Sequence, residues 1–138
     1  MDCIFCKIAN KEISAEVIFD NDDAVAFLDL HPLAPGHTVV ISKAHVDNIT
    51  ELEDGMVGGV FLAVKKVTAM LKKAFSPDGF TIGINHGRFS GHTAGVDHLH
   101  IHVVPRWRSD RGVSVHGMVK NPPKESIKEI KDKILNTK

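Results

Sequence analysis

The run "HLHIHVVPR", His98 to Arg106, sets three histidines at alternate positions of a short apolar stretch. Side chains of a β-strand alternate between faces, so His98, His100 and His102 share one face while Leu99, Ile101 and Val103 share the other. The β-branched Val103 and Val104 favour a strand and Pro105 stops it, whereas a helix would scatter the imidazoles around a cylinder. An imidazole is poor core filler. With an unperturbed pKa of roughly 6.5 it serves near neutral pH as nucleophile, proton carrier or metal ligand. Three readings of the row are open: a central nucleophile attacking phosphorus between supporting neighbours, a catalytic metal held by histidines two apart, or a polar, solvated sheet face. A second chemical motif stands at Cys3-Ile4-Phe5-Cys6. These two thiols are too close to staple a fold and well spaced to supply two corners of a tetrahedral metal site.

The elements that must position these groups are legible along the chain. Glu16 to Asp20, Ala24 to Asp29 and His37 to Ser42 read as strands, with Asn21-Asp22-Asp23 turning the first into the second. Thr50 followed by Glu53 suggests a capping box. Beyond it Val57, Val60, Phe61, Val64, Val67, Thr68, Leu71 and Phe75 fall at helical spacing. Gly55, Gly58 and Gly59 weaken the first turns of that long helix, and Ser76-Pro77-Asp78-Gly79 ends it. Phe80 to Asn85 resumes a strand, and a Gly/Ser/His-rich loop leads to the histidine strand. After Trp107, Asn121-Pro122-Pro123 precedes a short helix whose Ile127, Ile130 and Ile134 form a stripe, expected to dock on the body or on a second subunit. These elements predict one α+β domain over residues 1–138, with about five mainly antiparallel strands, one long helix, a short C-terminal helix, and the helices packed on one side.

Composition narrows the function. Lys plus Arg and Asp plus Glu both number 17, so the formal net charge is zero and no polyanion-coating surface is expected. That balance points to small-molecule chemistry and away from nucleic acid. No leader pattern or membrane-length apolar run is present in the sequence, which predicts a soluble, cytoplasmic protein.

The blocks "CIFCKIANKEISAEVIFDNDDAVAFLD", "HPLAPGHTVVISKAH" and "HLHIHVVPR" occur in this order and together resemble the histidine-triad (HIT) nucleotide-binding family from about Cys3 to Trp107. The family signature, His-φ-His-φ-His-φ-φ with φ hydrophobic, is matched by His98 to Val104. The resemblance implies a HIT-like fold with a core at 3–107, an extension at 108–138, and a homodimer. It further implies that His100 attacks the α-phosphorus of a purine nucleotide, forming a nucleotidyl-histidine that water hydrolyses, with His102 and His37 in support and no catalytic metal. Asp29 corresponds to the acidic residue on the ribose hydroxyls, Asn85 to an asparagine near the phosphates, and Ile4, Phe5, Ile8, Phe27 and Leu30 to an apolar slot for the base.

The loop before the triad departs from the family's Gly-Gln-Ser element, reading Ser90-Gly91-His92-Thr93-Ala94-Gly95-Val96-Asp97, with His92 and Thr93 as candidate polar partners of the leaving group. The N-terminal half is more similar to the phosphoramidase branch. The ending "VVPRW" is more similar to the branch cleaving diadenosine polyphosphates, where Arg106 would suit a polyphosphate. Relatives with the CxxC pair imply a closed, structural zinc site at Cys3, Cys6, His45 and His98. Two alternatives remain: a metal-dependent hydrolase with the triad as ligands, and a purine-nucleotide-binding regulatory protein whose hydrolysis is incidental.

Overall fold

A computed structural model describes residues 3–87 and 96–137. Strands β1 (Val17–Asp20), β2 (Ala24–Leu28), β3 (Thr38–Ser42), β4 (Gly79–Gly83) and β5 (His100–Arg106) form one sheet in the order β1-β2-β3-β5-β4, every pair antiparallel. The long helix α2 (Asp54–Phe75) and the C-terminal helix α3 (Ile127–Asn136) match the expected α+β architecture. A third helix, α1 (Ile4–Ala9), was not expected. At six residues it is too short to show a period, and it is nucleated by Cys3, whose Sγ accepts the Cys6 N–H at the N-cap.

The helices do not all pack on one side. Ala24, Ala26, Val40, Ile101 and Val103 meet Val60, Ala63, Val64, Val67 and Leu71 of α2 on one face of the sheet. Val25, Phe27, Val39 and Ile41 meet Ile8 of α1 on the other. His100 pairs with Ile41 and His102 with Val39, so the period-two pattern of β5 puts both histidines on the α1 face. The α1 face thus carries both a second apolar cluster and the two histidines.

Asn21 makes the β1–β2 turn, its Oδ1 accepting the N–H groups of Asp23 and Ala24 at 2.8 Å each while its Nδ2 donates to the Gly59 carbonyl at 2.9 Å. That bond draws the turn onto α2 so closely that a Cβ on Gly59 would overlap Asp23, whereas one on Gly58 would meet nothing within 4 Å. The two neighbouring glycines should therefore respond oppositely to alanine. Gly58→Ala is expected to stabilise by about 0.5–1 kcal/mol through helix propensity. Gly59→Ala is expected to destabilise by about 1–2 kcal/mol, overpacking outweighing the same propensity gain. Denaturant midpoints of the two variants check this, and equal shifts would refute the close approach.

The helix start also differs from expectation. Thr50 and Glu53 form no capping box: Asn48 accepts the Thr50 N–H at 2.9 Å and caps a 3-10 turn at Ile49–Glu51, and α2 begins only at Asp54 with no side-chain cap. Thr50 sits inside that earlier turn. The capping box of this chain lies on α3, where Ser126 Oγ accepts the Glu129 N–H and Glu129 accepts the Ser126 N–H. The stripe of α3 is largely uncovered, Ile127 being 79% and Ile134 66% exposed with Ile130 partly buried. Among the described residues no helix is long and apolar enough to cross a membrane.

Candidate functional site

The hydrogen-bond partners of the histidines fix which nitrogen of each carries a proton. His100 Nδ1–H donates to the His98 carbonyl at 2.6 Å, which leaves its Nε2 a lone pair on the α1 face. His37 Nδ1 accepts the Leu33 backbone N–H at 3.1 Å, so the His37 proton sits on Nε2 and is donated to His102 Nδ1 at 2.9 Å. His102 accordingly turns an Nε2–H outward. Asp29 Oδ2 lies 3.6 Å from His37 Nε2, and Asp29 Oδ1 accepts the His31 N–H at 2.8 Å. The arrangement offers one nucleophilic nitrogen beside a neutral donor held from behind by a second imidazole.

Burial keeps these supporting rings uncharged. The pKa of His102 is pushed down to about 4 by burial and then by the neighbouring His100 and His37, while burial lowers that of His37 against the pull of Asp29. In the unfolded chain both titrate near 6.5. Between pH ~4 and ~6.5 the unfolded state binds more protons, so this contribution to stability is complete above about 6.5 and lost as pH falls toward 4. Denaturant midpoints across that window should fall with pH more steeply for the wild type than for His102→Gln. Parallel slopes would assign the sensitivity to other groups.

A second cluster joins α1 to the start of β5. His98 is 1% exposed and donates Nε2–H to the Ser42 carbonyl at 2.7 Å, turning its Nδ1 lone pair toward Cys3 Sγ at 3.3 Å, Cys6 Sγ at 3.6 Å and His45 Nδ1 at 3.2 Å. Cys6 Sγ is 3.2 Å from His45 Nδ1, and Asp47 lies 3.8 Å behind His45 Nε2. Donors around a tetrahedral zinc ion sit roughly 3.3–3.8 Å apart, so this set fits a Cys₂His₂ ion, with His98 oriented from outside by the Ser42 carbonyl. Burial, then the hydrogen bond and charge of Cys3, raises the Cys6 thiol; a cation reverses that cost.

A further group, Asp29, His37 and His102, also converges. It does not suit a metal. The His37 nitrogen facing it carries a proton, because Nδ1 is occupied by the Leu33 N–H.

The residues read as a base slot divide. Ile8 and Phe27 are buried in the α1-side core with Phe5 packed against them, while Ile4 and Leu30 are 47% and 83% exposed. Asn85 lies two residues beyond Gly83, which pairs with His102. His92 and Thr93 lie outside the described residues. An open cleft of about 480 Å³ is lined by Leu28, Asp29, Pro32, Leu33, Pro35 and His37, so that two of the expected site residues border it. Ser42, whose carbonyl orients His98, and Asp47, 3.8 Å from His45 Nε2, were missed; only the proximity of Asp47 to His45 in sequence hinted at the latter. Arg106 is not a free cation: it grips Asp110 with Nε and Nη2 at 2.6 and 3.1 Å and donates Nη1 to Thr81 and to the Val113 carbonyl. It anchors the C-terminal segment to β4.

Comparison with known proteins shows the family and the fold. The HIT domain family model matches residues 10–109. A HIT-like protein of Methanocaldococcus jannaschii is 42% identical over 130 residues, covering 94% of this chain and 98% of its own. The adenosine 5'-monophosphoramidase of Schizosaccharomyces pombe is 36% identical over 115 residues, covering 83% and 82%. A HIT family crystal structure from Bacillus subtilis superimposes with a TM-score of 0.85 at 30% identity, covering 98% and 96%. A zinc-bound histidine triad protein from Mycobacterium smegmatis does so at 0.72 and 32% identity, covering 80% and 79%.

Proposed function

The chain belongs to the HIT domain family, and from that premise we propose that it cleaves purine nucleotides at the α-phosphate through a covalent intermediate on His100. The observation that carries this reading is the His100 Nδ1–H bond to the His98 carbonyl, which commits the ring to a single tautomer with Nε2 as nucleophile. Nε2 attacks the α-phosphorus, the P–N bond to the leaving amine breaks, and the amine departs carrying a proton drawn from solvent. Water then attacks the phosphorus, the P–N bond to His100 breaks, and the monophosphate leaves as the attacking water gives up a proton to solvent. The His102 Nε2–H donates to a phosphoryl oxygen, with His37 fixing its orientation. Asp29 takes the ribose hydroxyls and Asn85 the phosphates; the candidate leaving-group partners His92 and Thr93 lie outside the described residues.

Among substrate classes, nucleoside phosphoramidates are favoured over dinucleoside polyphosphates. A phosphoramidase stands among the relatives, and the Arg106 that suggested a polyphosphate contact is spent on Asp110, Thr81 and Val113. Zinc held by Cys3, Cys6, His45 and His98 is structural in this reading: it clamps α1 to the start of β5 and leaves no open position for substrate. The protein acts as a cytoplasmic homodimer. A metal hydrolase with the triad as ligands is disfavoured because the three rings point to different partners: the cysteine cluster, the His98 carbonyl and His37.

Rapid-quench intact-mass spectrometry with adenosine 5'-phosphoramidate tests the proposal. An adenylyl increment on His100 during turnover supports it. Turnover without any adduct rejects it, and tight nucleotide binding without turnover supports the regulatory protein instead.

A further inference from the structure

Phe5 belongs by resemblance to a slot for the base, yet its ring is occupied otherwise. Its centroid lies 5.2 Å from His100, 5.9 Å from His98 and 5.7 Å from Phe27, at interplanar angles of 68°, 84° and 60°. All three are edge-to-face contacts, the favoured geometry of aromatic pairs. His100 meets His102 in the same way at 5.2 Å and 78°. The His100 imidazole therefore stands between two rings and is tied at Nδ1 to the His98 carbonyl. Phe5 also sits between Cys3 and Cys6 on the single turn that faces His98 and His45, so its position is set by that cluster.

An imidazole needs such walls. Its χ2 torsion is broad and roughly two-fold, and a flip exchanges Nδ1 with a carbon, cutting the bond that assigns the proton. Taking this with the His100 reading above, on which it rests, we propose that Phe5 is a positioning residue for the nucleophile: its ring walls off the flip and holds His100 in the tautomer that presents Nε2. The metal cluster supports catalysis through the same turn, by delivering that ring to the histidine strand.

The test compares Phe5→Leu and Phe5→Met, which retain apolar bulk without a ring, with Phe5→Tyr, which retains the ring. In zinc-loaded protein, the ringless variants are expected to lose kcat on adenosine 5'-phosphoramidate by about tenfold or more, a loss typical of a misplaced reacting group. KM and adenosine monophosphate affinity should stay within about twofold, since binding is unaltered. Nitrogen-15 spectra should show the single Nδ1–H tautomer of His100 becoming a mixture, and Phe5→Tyr should recover most of both losses. A raised KM and weakened affinity with kcat and tautomer intact would overturn the proposal and return Phe5 to the base slot. An unchanged tautomer in a folded ringless variant overturns it as well. Should wild type form no adduct, the nucleophile reading fails by itself, and the tautomer comparison still decides whether Phe5 holds the ring.

Discussion

His100→Ala is expected to lower kcat/KM for adenosine 5'-phosphoramidate by on the order of 10³-fold or more, about 4 kcal/mol of transition-state stabilisation, and to abolish the trapped adduct. Nucleotide affinity should change little, because this nitrogen forms its bond to phosphorus only on the way to the intermediate. The size of the effect follows from the geometry. The neighbouring imidazoles cannot stand in: His102 has its Nδ1 engaged by His37 and a proton on its outward nitrogen, and His98 is buried and turned toward Cys3 and Cys6. Steady-state kinetics with single-turnover mass spectrometry checks it. A variant keeping more than a tenth of wild-type turnover would remove His100 from the role of nucleophile.

The second large effect concerns the metal cluster. Zinc-loaded protein stripped by chelator, or the Cys3→Ser/Cys6→Ser double variant, is expected to melt about 10 °C lower. A ligand at a thousand times its Kd adds about 4 kcal/mol, and each kcal/mol moves Tm by roughly 2–4 °C in a domain near this size. The fold should persist, because the α2-side core includes none of the four cluster residues, while α1 should loosen from the sheet. Calorimetry with elemental analysis checks both. An unchanged melting temperature at full zinc loss would deny the cluster its structural role, and activity that followed added metal with no change in stability would restore the catalytic-metal reading.

How much was legible in advance depended on whether a feature is local. Alternation in His98 to Val104 and the period of Val60, Val64, Val67 and Leu71 pointed to β5 and α2, because burial on one face imposes those periods directly. β5 nevertheless starts after His98 and Leu99 and runs through Pro105, expected to stop it, to Arg106. The Asn21 turn was equally readable. The α1 helix was not, since six residues held by a thiol cap and by packing on Ile41 and Val39 carry no periodic signal. Thr50 and Glu53 had the spacing of a capping box, yet Asn48 reached the free N–H first. Arg106 looked available until the return of the chain at Asp110 engaged it. In the site, Cys3 and Cys6 were legible as a metal-binding pair from their own spacing, while His45 and His98 came from family resemblance, because no local spacing connects them with the cysteines. The hydrogen bonds that set the tautomers were hidden for another reason: their partners are main-chain groups of His98, Ser42 and Leu33, which every residue type carries.

The Leu33 bond bears on how this position tolerates change. Its side chain is 80% exposed, while its N–H fixes the tautomer of His37 and through it the outward proton of His102. What the fold demands at position 33 is an amide hydrogen, which nineteen of the twenty amino acids provide. A comparison of side chains would therefore score the position as free to drift, and proline alone would expose the constraint, releasing the hold on a proton two imidazoles away without touching either ring.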